Sequence, residues 1–540
     1  AIDKKDANNA FGIHLSALSV QELSYASTLV NSNGGKWGYV TVAVNKKQCE
    51  DKTLQDFFNE ARKKKLIPIL RLTSEFDRQN GYYKKALPGR QAKEWADCLN
   101  GLNWPTREMH VVLFNEVNHG AEFGGSCNGA EYARLADNYL DIFHAESEKF
   151  VVMLSALDLY APQSPPQFCD AGVFMREMVS EVPDIFVKSD AHASHSYPAD
   201  NFSASPSDYG RHSVRGYEWE LSFLAGIGAI GDTNVPVYIT ETGWRADRLT
   251  DKQVADRTVS AYKNVWLQDS RVKVVTPFII SYCADPFVNF SWKKCSRSGE
   301  TYEQASGFRQ VFTAVHDMQK QAGSPEITEK YTLEGYFPRQ IVRGSSYTIN
   351  FDLLNQGQGI CDYREECKLG LIDSAGQYEF TKLYGFEPGM NAGITFRYTA
   401  GNELGVKPVK IGLFQGDKLT LQLVSWVPKV LLAPSLTMRV KNLPGLAAEG
   451  CSFELQVFDN SERLVFKKKG ICIKDGIGMA SEIKNVTLQE RYRVVLFGEG
   501  YLPLQEFVSF GQGINEVSFG MLLPIDRNND GKISFSDLML

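Results

Sequence analysis

Two carboxylates stand out because each closes an apolar run that reads as a buried strand. Glu116 follows Asn115 at the end of "MHVVLFNE", and Glu241 follows Thr240 within "VYITETGW". An ionised side chain at the end of a hydrophobic strand is costly unless it has a partner or a task. If both strands belong to one parallel barrel, their C-terminal ends converge on one mouth, where barrel active sites sit. Two carboxylates facing each other there flank a single glycosidic bond. One attacks the anomeric carbon; the other protonates the leaving oxygen and then deprotonates water. A carboxyl separation of ~5–5.5 Å gives retention of configuration, and ~6.5–9.5 Å gives inversion.

The elements that would position this pair are legible over residues 1–324. Eight apolar runs alternate with longer amphipathic stretches: "FGIHL" (11–15), "WGYVTVAV" (37–44), "IPILRL" (67–72), "HVVLFNE" (110–116), "FVVMLSAL" (150–157), "SDAHASHSY" (189–197), "PVYITETG" (236–243) and "VKVVTPFIIS" (272–281). Between them lie helical patterns such as "LQDFFNEARKKK", "EYARLADNYLDIFHAE" and "DKQVADRTVSAYKNVW", and "FRQVFTAVHDMQKQA" follows the eighth run. Near-continuous apolar strands alternating with helices predict a parallel sheet covered by helices, and eight such units predict an α/β fold of (β/α)8 barrel type. A doubly wound open sheet is the alternative, but no Gly-rich phosphate loop follows the first strand.

The texture changes after "GSPEIT". Residues 325–433 read as short alternating strands with Gly and Asn turns, which predicts an all-β sandwich; 434–523 read as a second one. Residues 524–540 differ again. "DRNNDGKISFSD" has the spacing of an EF-hand-like calcium loop, with Asp526, Asn528 and Asp530 at positions 1, 3 and 5. Gly531 makes the turn, Lys532 would ligate through its carbonyl, and Asp537 closes the loop at position 12. Ca2+ is expected there, and no cofactor is expected for catalysis.

Bulk properties narrow the class. At 540 residues the chain exceeds what one core supports, so several domains are expected. A net charge of −6 with no basic block gives no support to nucleic-acid binding, and no stretch approaches a membrane span. Ten cysteines with no CxxC motif read as disulfides of an exported protein. Cys283/Cys295, Cys361/Cys367 and Cys451/Cys472 lie close in sequence; Cys49, Cys98, Cys127 and Cys169 are left over, and connectivity stays open. A start at Ala1 fits a mature chain whose leader was removed, or a trimmed one. His192 and His195 point to opposite faces of one strand, which argues against a shared metal. No G-x-S-x-G elbow hosts a serine triad.

Asn115-Glu116 on the fourth strand, Glu241 on the seventh and "HSY" (195–197) on the sixth together resemble the clan A glycoside hydrolases, retaining (β/α)8 enzymes, over roughly residues 8–320. The resemblance implies that Glu116 is the acid/base and Glu241 the nucleophile. Asn115 would bind the sugar 2-hydroxyl, and Tyr197, beside His195, would hold the nucleophile ionised. Many members carry an Arg on the second strand for the nucleophile; here that strand reads "VTVAVN", and Arg71 on the third is the comparable residue. The eighth strand often delivers a Trp to the sugar; here Tyr282 is the nearest aromatic, and Trp244 is a further candidate for stacking on sugar. Asp at position 12 of the calcium loop resembles dockerins, which implies a cohesin-like scaffold or cell surface as partner, although one loop stands where a dockerin has two.

The expected protein is thus a secreted or extracellular hydrolase, cell-surface attached if the terminal module docks, that cleaves β-glycosidic bonds inside a polysaccharide or oligosaccharide. Its β-sandwiches are expected to act as spacers. The alternatives are a transglycosylase with the same catalytic residues, and a non-catalytic carbohydrate-binding or adhesion protein on the same scaffold.

Overall fold

The computed structural model describes residues 8–295, 307–441 and 450–534. Two compact units divide the chain, Ala1–Glu329 and Lys330–Leu540.

The first unit contains the eight expected parallel strands: β1 (Gly12–His14), β2 (Gly38–Asn45), β3 (Leu66–Thr73), β4 (Met109–Leu113), β5 (Phe150–Leu154), β6 (His192–His195), β7 (Val237–Glu241) and β8 (Val272–Val275). β1 to β5 pair in sequence, and so do β6 to β8. Parallel bridges Met153↔Ala191 and Phe11↔Val275 join the two sets into a ring. That is a closed eight-stranded barrel. Closure brings β1 and β8 close together: a Cβ on Gly12 would lie 2.5 Å from the Thr276 methyl, so only glycine fits there.

The helices follow from their apolar spacing and their caps. Thr53–Lys63 buries Leu54, Phe57, Phe58 and Ala61, an i, i+3, i+4, i+7 stripe. Asn128 caps Gly129–Glu146, and Thr250 with Gln253 forms a capping box for Asp251–Asn264. Inside the ring, Tyr39, Ile67, Ile69, Val112, Ala193 and Tyr238 belong to one buried cluster.

The unit continues past the expected boundary at 324. Gly323 donates its N–H to Lys36, Arg107 donates its N–H to the Glu326 carbonyl, and Ile327 packs on the barrel-interior cluster.

The second unit is strand-rich. Residues 331–431 form three small sheets around one apolar cluster. The described strands of residues 435–441 and 450–521 join a single seven-stranded sheet with its own cluster, where the sequence suggests a two-sheet sandwich. Alternation shows that one face of each strand is buried, but not which strands share a sheet.

Disulfides link Cys49–Cys98, Cys127–Cys169, Cys283–Cys295, Cys361–Cys367 and Cys451–Cys472.

Candidate active site

Alternation along the barrel strands explains which side chains reach the mouth. On β3, Ile67 and Ile69 point inward, and the next inward position is Arg71; Ala191, just before β6, and Ala193 on it are followed by His195. On β7 the pairing register shifts. Ser194 faces Ile239, whereas His195 faces Glu241, so Thr240 is an extra residue and the bulge sets Glu241 opposite His195.

Glu116 arrives differently. The sequence suggests a strand running to 116, but β4 stops at Leu113. Phe114 (φ +72°) and Glu116 (φ +35°) both adopt left-handed conformations. Such backbone costs on the order of 1–3 kcal/mol per non-glycine residue and concentrates at functional sites. It turns the chain so that the Glu116 carboxylate meets the imidazole of His195, with Nδ1 2.8 Å from Oε1.

One oxygen of Glu116, one of Glu241 and a nitrogen of His195 all lie within 4.8 Å of one another. Around Glu241 the supports are dense. The Arg71 guanidinium donates to Oε1, the Tyr197 hydroxyl donates to Oε2 at 3.1 Å, and His14 Nε2 stands 3.5 Å from Oε1. His195 Nδ1 is 3.8 Å from Oε2. Burial by itself would raise the Glu241 carboxyl, but the positive surroundings of His195 and Arg71 outweigh it and hold the group well below the usual carboxylate range. Burial and the Arg71 charge push His14 down to about 3, so it stands beside Glu241 as a neutral ring. His195 is pulled toward neutrality by burial, yet Glu241 and Glu116 hold it above its ordinary value. Three acid and imidazole groups could also suggest a cation site, but the Arg71 charge on Glu241 opposes one.

Asn115 is half-buried, and its carbonyl oxygen has no partner among the described residues. Its amide is hydrogen-bonded to Glu122, a third carboxylate that sequence reading passes over. Glu122 lies on the short turn Gly120–Glu122, where burial and the nearby Glu116 charge raise it to about 7. Nothing in "HGAEFGG" marks it, because a turn has no apolar periodicity. His119 is likewise drawn in, with Nε2 2.7 Å from Asp158.

The aromatic wall is not made of tryptophan. Trp244 is buried in the core; its indole N–H donates to the Ala204 carbonyl and its ring packs near Trp266. It is not among the side chains that meet at the carboxylates. Phe278, Ile279 and Phe290 form a separate apolar cluster with Tyr197, Phe202 and Tyr282 packed on it. Tyr282 is half-buried against Phe287, and Phe278 packs edge-on to His14. Phe278 thus touches one of the side chains beside Glu241, His14.

In the C-terminal loop, the side chain of Asp526 is buried and accepts the N–H groups of Asp530 and Gly531. Asn528 and Asp530 are hydrogen-bonded to each other, and Lys532 donates its N–H to Asp530. These oxygens suit a hard cation such as Ca2+. Asp537 lies outside the described residues. The loop is tied to its own β region, since Gly500 donates to the Asn529 side chain at 2.8 Å.

No family model matches the chain, and no curated protein does. Solved structures similar to it include a family 39 glycoside hydrolase from the gut symbiont Bacteroides cellulosilyticus WH2, with 12% identity over 74% of this chain and 81% of that one and a TM-score of 0.40. A modular endo-beta-1,4-mannanase from Cellulomonas fimi matches with 11% identity over 77% and 98% of the two chains and a TM-score of 0.31. An alpha-L-arabinofuranosidase from Thermotoga maritima matches with 12% identity over 64% and 76%, at 0.32. At such scores the site's own geometry has to carry the functional reading.

Proposed function

We propose that the chain is a retaining glycoside hydrolase acting on a polysaccharide, with Glu241 as nucleophile and Glu116 as acid/base. The observation that carries this is the close approach of two carboxylates in unlike surroundings. Glu241 is buried among Arg71, Tyr197 and His195 and kept ionised, as a nucleophile must be; Glu116 is half-buried and bonded to His195 alone among these groups. Carboxylates that approach to within 4.8 Å at their nearer oxygens suit the shorter of the two spacings, which favours double displacement over inversion. Asn115, with its unpartnered oxygen, would take the sugar 2-hydroxyl, and Tyr282 with the Phe278 cluster would meet sugar faces.

Ca2+ at the Asp526, Asn528, Asp530 and Lys532 loop is a separate proposal. It rests on ligand spacing and oxygen chemistry, and attachment to a scaffold or cell surface through this module goes with it. Raising Ca2+ against a chelator should raise the melting temperature of the wild type and leave Asp526→Ala unmoved. Five disulfides fit an exported protein, and endo-action fits a chain that carries accessory modules.

The catalytic reading is tested by reducing-end release from β-glucans, mannans, xylans and galactans. Cleavage of one glycan, lost in both Glu116→Ala and Glu241→Ala, is expected. Binding without any cleavage by the wild type would favour the adhesion reading, and transfer to sugar acceptors in place of water would favour a transglycosylase.

A further inference from the structure

One sheet of the second unit presents aromatic rings to solvent. Its strands are Tyr378–Lys382, Cys367–Asp373, Val409–Gln415 and Lys418–Trp426, hydrogen-bonded in that order. Leu369, Leu371, Ile411 and Leu413 point into the apolar cluster, so alternation sends the intervening residues to the other face. The register sets Lys368 beside Lys382 and Gly370 beside Phe380, with Ile372 between Tyr378 and Lys410.

That outer face should be polar if it only met water. Instead Phe380 is 40% exposed, and its ring lies near-parallel to two tyrosines. The Tyr363 ring is 6.3 Å away at 11°, and the Tyr378 ring is 5.7 Å away at 26°. Gly370 lets the rings lie against the sheet, since a Cβ there would meet the Phe414 ring at 2.8 Å and the Tyr378 ring at 3.1 Å. Tyr363 comes from a short turn whose flanks are tied by the Cys361–Cys367 disulfide. Tyr384, 61% exposed, stands edge-on to Tyr363.

The charges at the outward strand positions are of one sign, while the Tyr363 turn carries Asp362, Glu365 and Glu366. Over the first three strands the outward positions carry Lys368, Lys382 and Lys410 and no carboxylate. The Lys368 ammonium lies 4.5 Å from the Phe380 centroid and pairs with the exposed Asp417 on the adjoining turn; Lys382 lies 4.5 Å from the Tyr363 centroid. Lys382 and Lys410 make no ion pair among the described residues. The nearby Arg364 is matched by Asp362.

We propose that this face binds an anionic glycan, its pyranose faces lying on Tyr363, Phe380 and Tyr378 and its carboxylate or sulfate groups meeting Lys382 and Lys410. Flat rings suit the C–H face of a sugar, and the uncompensated lysines select for negative charge on it. The choice of a glycan as occupant rests on the catalytic reading of the same chain; the sheet would hold the polymer that the barrel cleaves.

The test is affinity electrophoresis of the full chain through gels containing the β-linked anionic polymers glucuronoxylan, hyaluronan or chondroitin sulfate, with neutral β-glucan and galactan gels beside them. At least one anionic polymer should retard the wild type, and retardation should weaken as salt rises. The double variants Tyr363→Ala/Phe380→Ala and Lys382→Glu/Lys410→Glu should each lose affinity about tenfold or more while keeping the wild-type melting temperature. The proposal is overturned if no anionic gel retards the chain, if retardation survives both variants, or if neutral gels retard it equally and the lysine variant changes nothing. Reducing-end release on the same samples separates the two readings. Cleavage without retardation refutes the platform alone, and retardation without cleavage refutes the catalytic assignment alone.

Discussion

The hydroxyl of Tyr197 donates to Glu241 Oε2 at 3.1 Å, on the side of the carboxylate opposite the Arg71 contact to Oε1. Both oxygens of a buried acid are thus held by donors, and that grip helps keep Glu241 ionised.

Removing the phenol alone therefore tests the grip. Tyr197→Phe keeps the packing on Phe202 and Phe290 and deletes one hydrogen bond to a charged group. Such bonds contribute about 1.5–3 kcal/mol, so kcat/KM should fall roughly 10- to 100-fold with little change in melting temperature. Steady-state kinetics on the cleaved glycan checks it.

Arg71→Ala should do more. It leaves a buried carboxylate without its guanidinium donor, so activity should fall by 100-fold or more and the barrel should lose on the order of 3 kcal/mol. Arg71→Lys should recover only part of the loss, since an ammonium cannot reproduce the guanidinium's fork. Denaturant melts and kinetics of the two variants separate the stability effect from the catalytic one.

Glu122 gives the pH profile a marker. Its carboxyl is raised to about 7 by burial and by Glu116, so it passes from neutral to charged across neutral pH within reach of Asn115. A pH–kcat/KM profile should carry an inflection near 7 in the wild type, and Glu122→Gln, fixed in the neutral form, should abolish it. An inflection unchanged in the variant would assign it to another group.

His14 makes the barrel acid-sensitive. Its folded value of about 3 lies below the ordinary 6.5, so between these limits the unfolded chain binds a proton that the folded chain does not. Stability therefore falls as pH drops from 6.5 toward 3, by about 1.4 kcal/mol per pH unit for one such group. Glu241 acts in the same direction, because a depressed carboxyl gives stability that is present above its unfolded value and lost as pH falls. His14→Phe should lose less melting temperature than wild type between pH 7 and pH 5.

The barrel was legible because its strands are apolar on both faces and its helices carry 3.6-residue stripes. Arg71 was a candidate through the resemblance, as the Arg comparable to one that binds the nucleophile; its place as the next inward position after Ile67 and Ile69 comes from the barrel. Strand ends were less so. Apolar residues continue past the last ladder bond at Phe114 and at Phe278–Ile280, where the chain leaves the barrel while staying buried. The extra residue at Thr240 that aims Glu241 depends on pairing with β6, which no local pattern encodes. Glu122 and the Tyr363–Phe380 pair come from segments that meet only in three dimensions. The Cys49–Cys98 and Cys127–Cys169 bonds were open for the same reason.

The most direct test of the account is the anomeric configuration of the first product, followed by proton NMR while the cleaved glycan is being hydrolysed. Carboxylates this close predict that the β-linked substrate releases the β-anomer first, with the α-anomer appearing only by later mutarotation. An α-anomer formed first would contradict double displacement through Glu241 and, with it, the roles assigned to both carboxylates.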